Sequence, residues 1–280
     1  MIRKLSPAKI NLHLKVLRKR EDGYHDIATL MQRISLYDEM IFSPIERVIV
    51  LSCPDSSLPE NEDNIVYRAA RTFFSYASCP SGIHITIRKK IPAAAGLGGG
   101  SSNAAITLMT LNEMLDIRFT KEDLMTMGST LGADVPFFIY EKTAWATGIG
   151  DHLQSVENIP ELWYILINPH FEISTKMVYE NLNFTLTKSA LKYTCPSLYT
   201  VDDLVKELYN DLERVAFNLY PILQDLKHQL LRHGARGVLM SGSGPTVFGI
   251  FSEEESAAFA EETLRDTGKG AWSVFKVHSL

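Results

Sequence analysis

The chain has 280 residues, 45% of them hydrophobic and 22% charged, an ordinary balance for a folded globular protein; at this length two domains are expected rather than one core. The formal net charge is −5, yet residues 1–33 carry eight Lys/Arg against three Asp/Glu and the remainder carries 20 against 30. A basic opening segment in an acidic protein fits a solvated face or a local anionic ligand, and argues against a nucleic-acid surface. No run of about 18 apolar residues is present to span a bilayer. The opening Met1-Ile2-Arg3-Lys4-Leu5-Ser6-Pro7 lacks the apolar core of a signal peptide, and Cys53, Cys79 and Cys195 have neither paired nor C-x-x-C spacing. A cytoplasmic protein is expected.

Along the first segment, Ala8, Ile10, Leu12, Leu14 and Val16 alternate with Lys9, Asn11, His13 and Lys15, which predicts a strand with one apolar and one polar face. That polar face is either plain surface or the wall of a site, and Lys9 on it needs solvent, a partner or an anion. A turn at 21–23 precedes Tyr24 and His25, which local pattern leaves as half-buried structural residues. Residues 64–77 read as a helix with Asp63 or Asn64 as its N-cap. Residues 82–90 alternate Ile83, Ile85 and Ile87 with His84, Thr86 and Arg88 and read as a strand.

The most informative stretch follows: Pro92, Ala93, Ala94, Ala95, Gly96, Leu97, Gly98, Gly99, Gly100, Ser101 and Ser102, then a helical stripe of Ala105, Leu108, Leu111, Met114 and Leu115. A glycine turn that opens a helix aims unpaired N–H groups and the positive end of the helix dipole at one point, a site for phosphate. It is not a Walker A loop, because Gly100 is followed by Ser101 and Ser102 rather than by Lys and Ser/Thr. Nor is it the Rossmann fingerprint, whose third glycine falls on Ser101 or Asn103. A flexible linker is opposed by the ordered patterns against both ends.

Residues 121–131 read as a short helix. In Leu131-Gly132-Ala133-Asp134-Val135-Pro136, Asp134 is either a turn aspartate behind a helix C-cap or a rigidly held general base. In the second half, 163–167 reads as a strand, and 201–233 as a long helical region broken near Pro221 and ended by Gly234. Strands at 238–240 and 246–251 are joined by a turn over 241–245. Ser252 and Glu255 predict a capping box for a helix to about Arg265, and 272–277 closes as a strand. This β-α-β-β-α-β order is that of a ferredoxin-like split βαβ unit, provided a further strand lies before residue 201. The pattern breaks at 158–160, so domains at 1–158 and 159–280 are expected.

Three separated segments, 4–15, 91–105 and 237–249 with its Ser241-Gly242-Ser243-Gly244-Pro245 turn, resemble the three motifs of the GHMP small-molecule kinases in an order and spacing that span nearly the whole chain. Further likenesses at 7–12, 23–25, 63–70, 132–136, 146–150 and 210–213 are to members of that family acting on a cytidine diphosphate-linked methylerythritol. The resemblance implies an α+β, two-domain GHMP kinase fold, with an N-terminal half like ribosomal protein S5 domain 2 and a ferredoxin-like C-terminal half. It implies ATP-dependent phosphorylation of the acceptor's 2-hydroxyl, on the methylerythritol phosphate route to isoprenoid precursors.

By the same resemblance Lys9 and Asp134 are the catalytic pair, with Asp134 deprotonating the hydroxyl as it attacks the γ-phosphate. Residues 92–102 wrap the ATP phosphates, Ser101 and Ser102 lie near Mg2+, and Asn64 lies near adenine. Tyr24 and Tyr179 stack on cytosine, His25 hydrogen-bonds its edge, Asn11 lies beside the pair, and Gly242, Ser243 and Gly244 close over phosphates and substrate. ATP is the implied co-substrate with Mg2+, and the implied partners are small molecules, with no nucleic acid and no membrane, for a monomer or homodimer. Asp151 stands where the family usually has Glu. The alternatives are a GHMP kinase for mevalonate, homoserine or a sugar, and a non-catalytic nucleotide- or RNA-binding module. Tyr24 beside His25 discriminates against the aliphatic acceptors. The net charge and the lack of an aromatic-studded basic stripe oppose an RNA-binding role.

Overall fold

The computed structural model describes residues 1–78, 81–182, 194–196, 198 and 200–280; Cys79 and much of the stretch before residue 201 lie outside the described residues. Two long strands, β1 (Ile2–Lys19) and β2 (His25–Ile45), open the chain, followed by β3 (Ile49–Ser52). Helix α1 (Ile65–Ala77) starts where the Asn64 side chain accepts from the Val66 N–H at 2.9 Å, and strand β4 (Gly82–Arg88) follows. Helix α2 (Gly99–Met114) comes next. Helix α3 (Lys121–Ser129) is opened by a capping box between Thr120 and Asp123. The short α4 (Val135–Tyr140) and strands β5 (Ala144–Thr147) and β6 (His152–Ser155) complete the first half.

The second half contains β7 (Trp163–Asn168), α5 (Thr175–Glu180), α6 (Val201–Glu207), β8 (Tyr209–Asn210), α7 (Asp211–Leu219) and α8 (Ile222–Arg232). It ends with β9 (Gly237–Met240), β10 (Val247–Phe251), α9 (Glu254–Gly268) and β11 (Ser273–His278).

The chain divides into two compact units, each made of discontinuous segments. The first comprises Met1–Ala8, Leu36–Ile91 and Gly98–Lys142. In it β3 pairs in parallel with β4, and β4 runs antiparallel to the distal half of β2, from Glu39 opposite Arg88 to Ile45 opposite Gly82. Helices α1 to α4 pack on one another around Phe73, Leu108, Leu111 and Phe137, all buried. The second unit comprises Lys9–Ser35, Pro92–Leu97 and Thr143–Leu280. There β5 pairs with β2 at 29–31, β6 pairs with β5, and β8 joins β1 in parallel.

The same unit holds a four-stranded antiparallel sheet in the order β11-β7-β10-β9, with α8 and α9 packed against it. This is the ferredoxin-like arrangement, and β7 is its first strand, so no further strand before residue 201 is needed. Strands β9 and β10 are apolar runs with every residue buried. The Tyr164 hydroxyl on β7 donates to Gln32, and complete burial pushes its phenol far above the ordinary range.

Two sequence expectations are corrected. The region 201–233 breaks at Leu208 as well as at Pro221. Residues 209–210 leave the helix to bond with β1 (His13 opposite Tyr209, Leu14 opposite Asn210), and Asn210 then caps α7 through the Leu212 N–H. The capping box at Ser252 and Glu255 does not form. Arg236 donates to the Ser252 hydroxyl at 3.0 Å, and α9 starts from Glu253 without a side-chain cap.

Candidate active site

Gly96 and Gly98 set the shape of the phosphate loop. Both have positive φ (76° and 68°), a region open to glycine and costly for other residues. A Cβ on Gly96 would overlap the Ser241 carbonyl oxygen. Gly98 occupies the N-cap position of α2, so no side chain satisfies the first N–H groups of this 16-residue helix, and its first turn holds no acidic side chain. The helical ladder begins with Ser102 donating to the Gly98 carbonyl at 2.9 Å. The start of α2 is thereby of the kind that suits an anion. Gly99, Gly100, Ser101 and Ser102 therefore form its opening turn, a little earlier than the hydrophobic stripe indicates. Ser102 is fully buried, its hydroxyl 2.8 Å from that of Ser6. Ser101 is half-buried, with its Oγ 3.8 Å from the position a Cβ would take on Gly132.

That proximity brings the 132–134 loop to the α2 end within the first unit. Asp134 is partly exposed and stands at the N-cap position of α4, in αR conformation (φ −83°, ψ −10°), without using its carboxylate as a cap. Pro136 in the first turn of α4 holds the backbone behind it. Side-chain atoms of Ile65, the first residue of α1, lie 3.6 and 3.7 Å from the positions a Cβ would take on Gly100 and Gly132. Asn64, just before it, spends both ends of its amide on the fold: Oδ1 caps α1, and Nδ2 donates to the Pro59 carbonyl at 2.8 Å.

The polar face of β1 lies in the second unit and is not surface. Lys9, Asn11 and His13 are 4%, 3% and 6% exposed. The Lys9 ammonium donates to Asn11 Oδ1 at 2.5 Å, and Asn11 Nδ2 donates to Thr29 Oγ1 at 2.8 Å. Thr29 in turn donates to the His13 carbonyl, so the amide of Asn11 is oriented with its oxygen toward the lysine. His13 Nδ1 lies 2.8 Å from the Glu207 carbonyl, and its ring is flanked by Trp145 and Tyr209 at centroid distances of 5.5 and 5.6 Å. A buried ammonium among oriented polar groups suits an anionic or charge-developing ligand.

The turn between β1 and β2 presents Tyr24 and His25. Asp22 accepts from the Tyr24 N–H at 3.1 Å, and Arg20 pairs with both Asp22 and Asp26. Tyr24 is 60% exposed. His25 stacks on Tyr179 of α5, with ring centroids 4.8 Å apart at 26°. Burial, and secondarily the nearby Lys19 charge, lowers the imidazole below its ordinary 6.5, so it is neutral at pH 7. Behind it, the Ile27 N–H donates to the Gly148 carbonyl at 2.7 Å. Asp151 shapes that neighbouring turn by accepting from the Ile149 N–H.

The turn between β9 and β10 is pinned by side chains. Ser241 Oγ donates to the Gly96 carbonyl at 2.8 Å and accepts from the Asn11 N–H at 3.3 Å. Gly242 and Gly244 have positive φ, and Ser243 Oγ lies 2.8 Å from Thr175 Oγ1 at the start of α5. Asn210 Nδ2 donates to the Met240 and Gly242 carbonyls, both at 2.8 Å, and Glu213 accepts from the Met240 N–H. The second unit thus gathers Lys9, Asn11, residues 92–97, His25, Tyr179 and the 241–244 turn.

Residues 64–142 match the model of the GHMP kinases N terminal domain, and 196–270 that of the GHMP kinases C terminal. The chain is 55% identical over 281 residues, the whole of both chains, to the 4-diphosphocytidyl-2-C-methyl-D-erythritol kinase of Syntrophus aciditrophicus. This chain belongs to the GHMP kinase family. It is 51% identical to the enzyme of the same name from Syntrophotalea carbinolica, over 99% of this chain and 98% of that one. A crystal structure of 4-(cytidine 5'-diphospho)-2C-methyl-D-erythritol kinase superposes with a TM-score of 0.82 at 33% identity over 99% of both chains. A homoserine kinase from Cytophaga hutchinsonii shares the fold, at a TM-score of 0.74 and 21% identity over 100% of this chain and 94% of that one.

The two-part α+β GHMP kinase fold is therefore that of this chain. Sequence pattern missed Thr29, which orients Asn11, and left the Asn210–Glu213 likeness without a role, although it braces the 241–244 turn. A buried Thr on the neighbouring strand β2 carries no local signal. Asn-Asp before a helical stripe does carry one, the N-cap signature, which was masked by the assumption of continuous helix.

Proposed function

We infer that this GHMP kinase transfers the γ-phosphate of ATP to the 2-hydroxyl of 4-diphosphocytidyl-2-C-methyl-D-erythritol, a step of the methylerythritol phosphate route to isoprenoid precursors. The observation that carries this reading is full-length identity of 55% to an enzyme of that name. In this reading residues 1–158 form the N-terminal kinase domain and 159–280 the C-terminal one. We take the cytoplasm as its compartment; among the described residues no helix is long and apolar enough to cross a membrane.

Asp134 takes the proton of the 2-hydroxyl, the freed oxygen attacks the γ-phosphorus, and the bond to ADP breaks. Lys9, held by Asn11, neutralises charge on the transferring group. The N–H groups at the start of α2 hold the ATP phosphates from residues 92–102, and Asn64 fixes the adjoining start of α1. Mg2+ bound with ATP supplies charge neutralisation on the phosphate oxygens. Among the described residues no group of three or more His, Cys, Asp or Glu is assembled to hold a metal. The Ser101 and Ser102 hydroxyls at the start of α2 would be the protein groups near the ion, Ser102 while also accepting from the Ser6 hydroxyl. Tyr24 and Tyr179 hold the cytosine ring, His25 reads its edge as a neutral imidazole, and Gly242, Ser243 and Gly244 cover the acceptor.

An ATP-consumption assay with the cytidine-linked erythritol, mevalonate and homoserine tests the reading. Turnover of the first alone is expected. A comparable kcat/KM for either of the others overturns it.

A further inference from the structure

Asp38 has no part in the chemistry above, yet its carboxylate is completely buried on β2 and accepts from four donors, all within the first unit. Oδ1 takes the backbone N–H groups of Lys90 and Ile91 at 2.8 and 2.9 Å, where the chain enters the glycine loop. Oδ2 takes Asn103 Nδ2 at 3.1 Å, on α2 just beyond that loop, and the Lys89 ammonium. One carboxylate therefore joins the two ends of the phosphate loop. The Lys89 side chain is only 10% exposed, and its Nζ lies 3.3 Å from the position a Cβ would take on Gly99, the first residue of α2. A cation at the positive end of a helix is unfavourable by itself, so a fixed anion is needed to keep it there. Burying that anion is costly in turn unless every lone pair is occupied, as it is here.

We propose that Asp38 is the positioning residue of the ATP phosphate site: it sets the separation of the loop's two ends and holds the Lys89 charge beside the first turn of α2. The proposal rests on the ATP reading above. Asp38→Asn tests it with little change of shape. The amide keeps one carbonyl oxygen for the Lys90 and Ile91 N–H groups, and sets an NH2 against the Lys89 ammonium and the Asn103 amide. Loss of charge-assisted bonds of this kind is expected to raise KM for ATP about tenfold and to leave KM for the cytidine-linked acceptor within about twofold. Asn103→Ala, which removes one donor at the helix end, is expected to shift KM for ATP in the same direction by a smaller factor, and it carries the test if Asp38→Asn does not fold. A folded variant with unchanged KM for ATP, or with both KM values raised alike, overturns the positioning role. Calorimetric titration of the wild-type chain with ATP separates the two readings: absence of binding overturns the ATP reading and this proposal together, whereas wild-type binding with an indifferent Asp38→Asn overturns this proposal alone.

Discussion

The start of α2 and the polar face of β1 solve one problem, holding charge, by opposite means. At α2 the groups we infer to hold the ATP phosphates are backbone N–H donors. Gly96 and Gly98 take conformations costly for other residues, and the N-cap position offers no side chain to the helix. Along β1 the groups we infer to act in transfer are side chains, Lys9 and Asn11, almost completely buried, with the Asn11 amide oriented by Thr29. The contrast teaches that phosphate can be bound by the shape of the chain alone, whereas selecting one hydroxyl for reaction requires particular side chains in particular orientations.

Substitutions that separate these two regions sharpen the contrast. Lys9→Met is expected to have the largest effect, lowering kcat by about 100-fold or more at saturating substrates with circular dichroism unchanged. Gly96→Val acts on the β1 side through Ser241, because the new Cβ would strike the Ser241 carbonyl and Ser241 accepts from the Asn11 N–H. It is expected to cost about 1–3 kcal/mol of stability and to raise KM for ATP, as thermal melts and initial rates measure. Tyr24→Ala is expected to raise KM for the cytidine-linked acceptor about fivefold to tenfold and to leave KM for ATP alone; a shift in the ATP value would break the separation.

The smallest expected effect is that of pH. Burial lowers the His25 imidazole below 6.5, so acidification from neutrality charges the ring that in the proposed reading meets the base while neutral, and KM for the acceptor is expected to rise as pH falls. Below 6.5 the unfolded chain takes up this proton before the folded one, so His25 also removes a little stability on the acid side. A His25→Gln variant is expected to flatten both trends.

Much of the fold is local and was readable. Alternation along 8–16, the glycine loop, the N-cap at Asn64 and the β9–β10 turn all depend on residues close in the chain. What was not readable depends on distant partners. Alternation marks Lys9, Asn11 and His13 as one face of a strand, but not that the face is buried. Ser252 matches a capping pattern, yet Arg236 occupies its hydroxyl. Asp38 is one acidic residue on an alternating strand until Lys90, Ile91 and Asn103 are seen to converge on it. Ser241 reaches Gly96 across 145 positions of sequence, a separation no periodicity spans. For Tyr24, His25 and Asp134, family resemblance supplied roles that local chemistry left open.

The central claim is tested most directly by a single-turnover measurement with ATP and 4-diphosphocytidyl-2-C-methyl-D-erythritol, comparing the wild-type chain with Asp134→Asn and locating the transferred phosphate by phosphorus NMR. The account predicts phosphate on the 2-hydroxyl with the wild type and transfer slowed about 100-fold or more in the variant. Transfer by Asp134→Asn at a near-native rate, or phosphate on another hydroxyl, would contradict it.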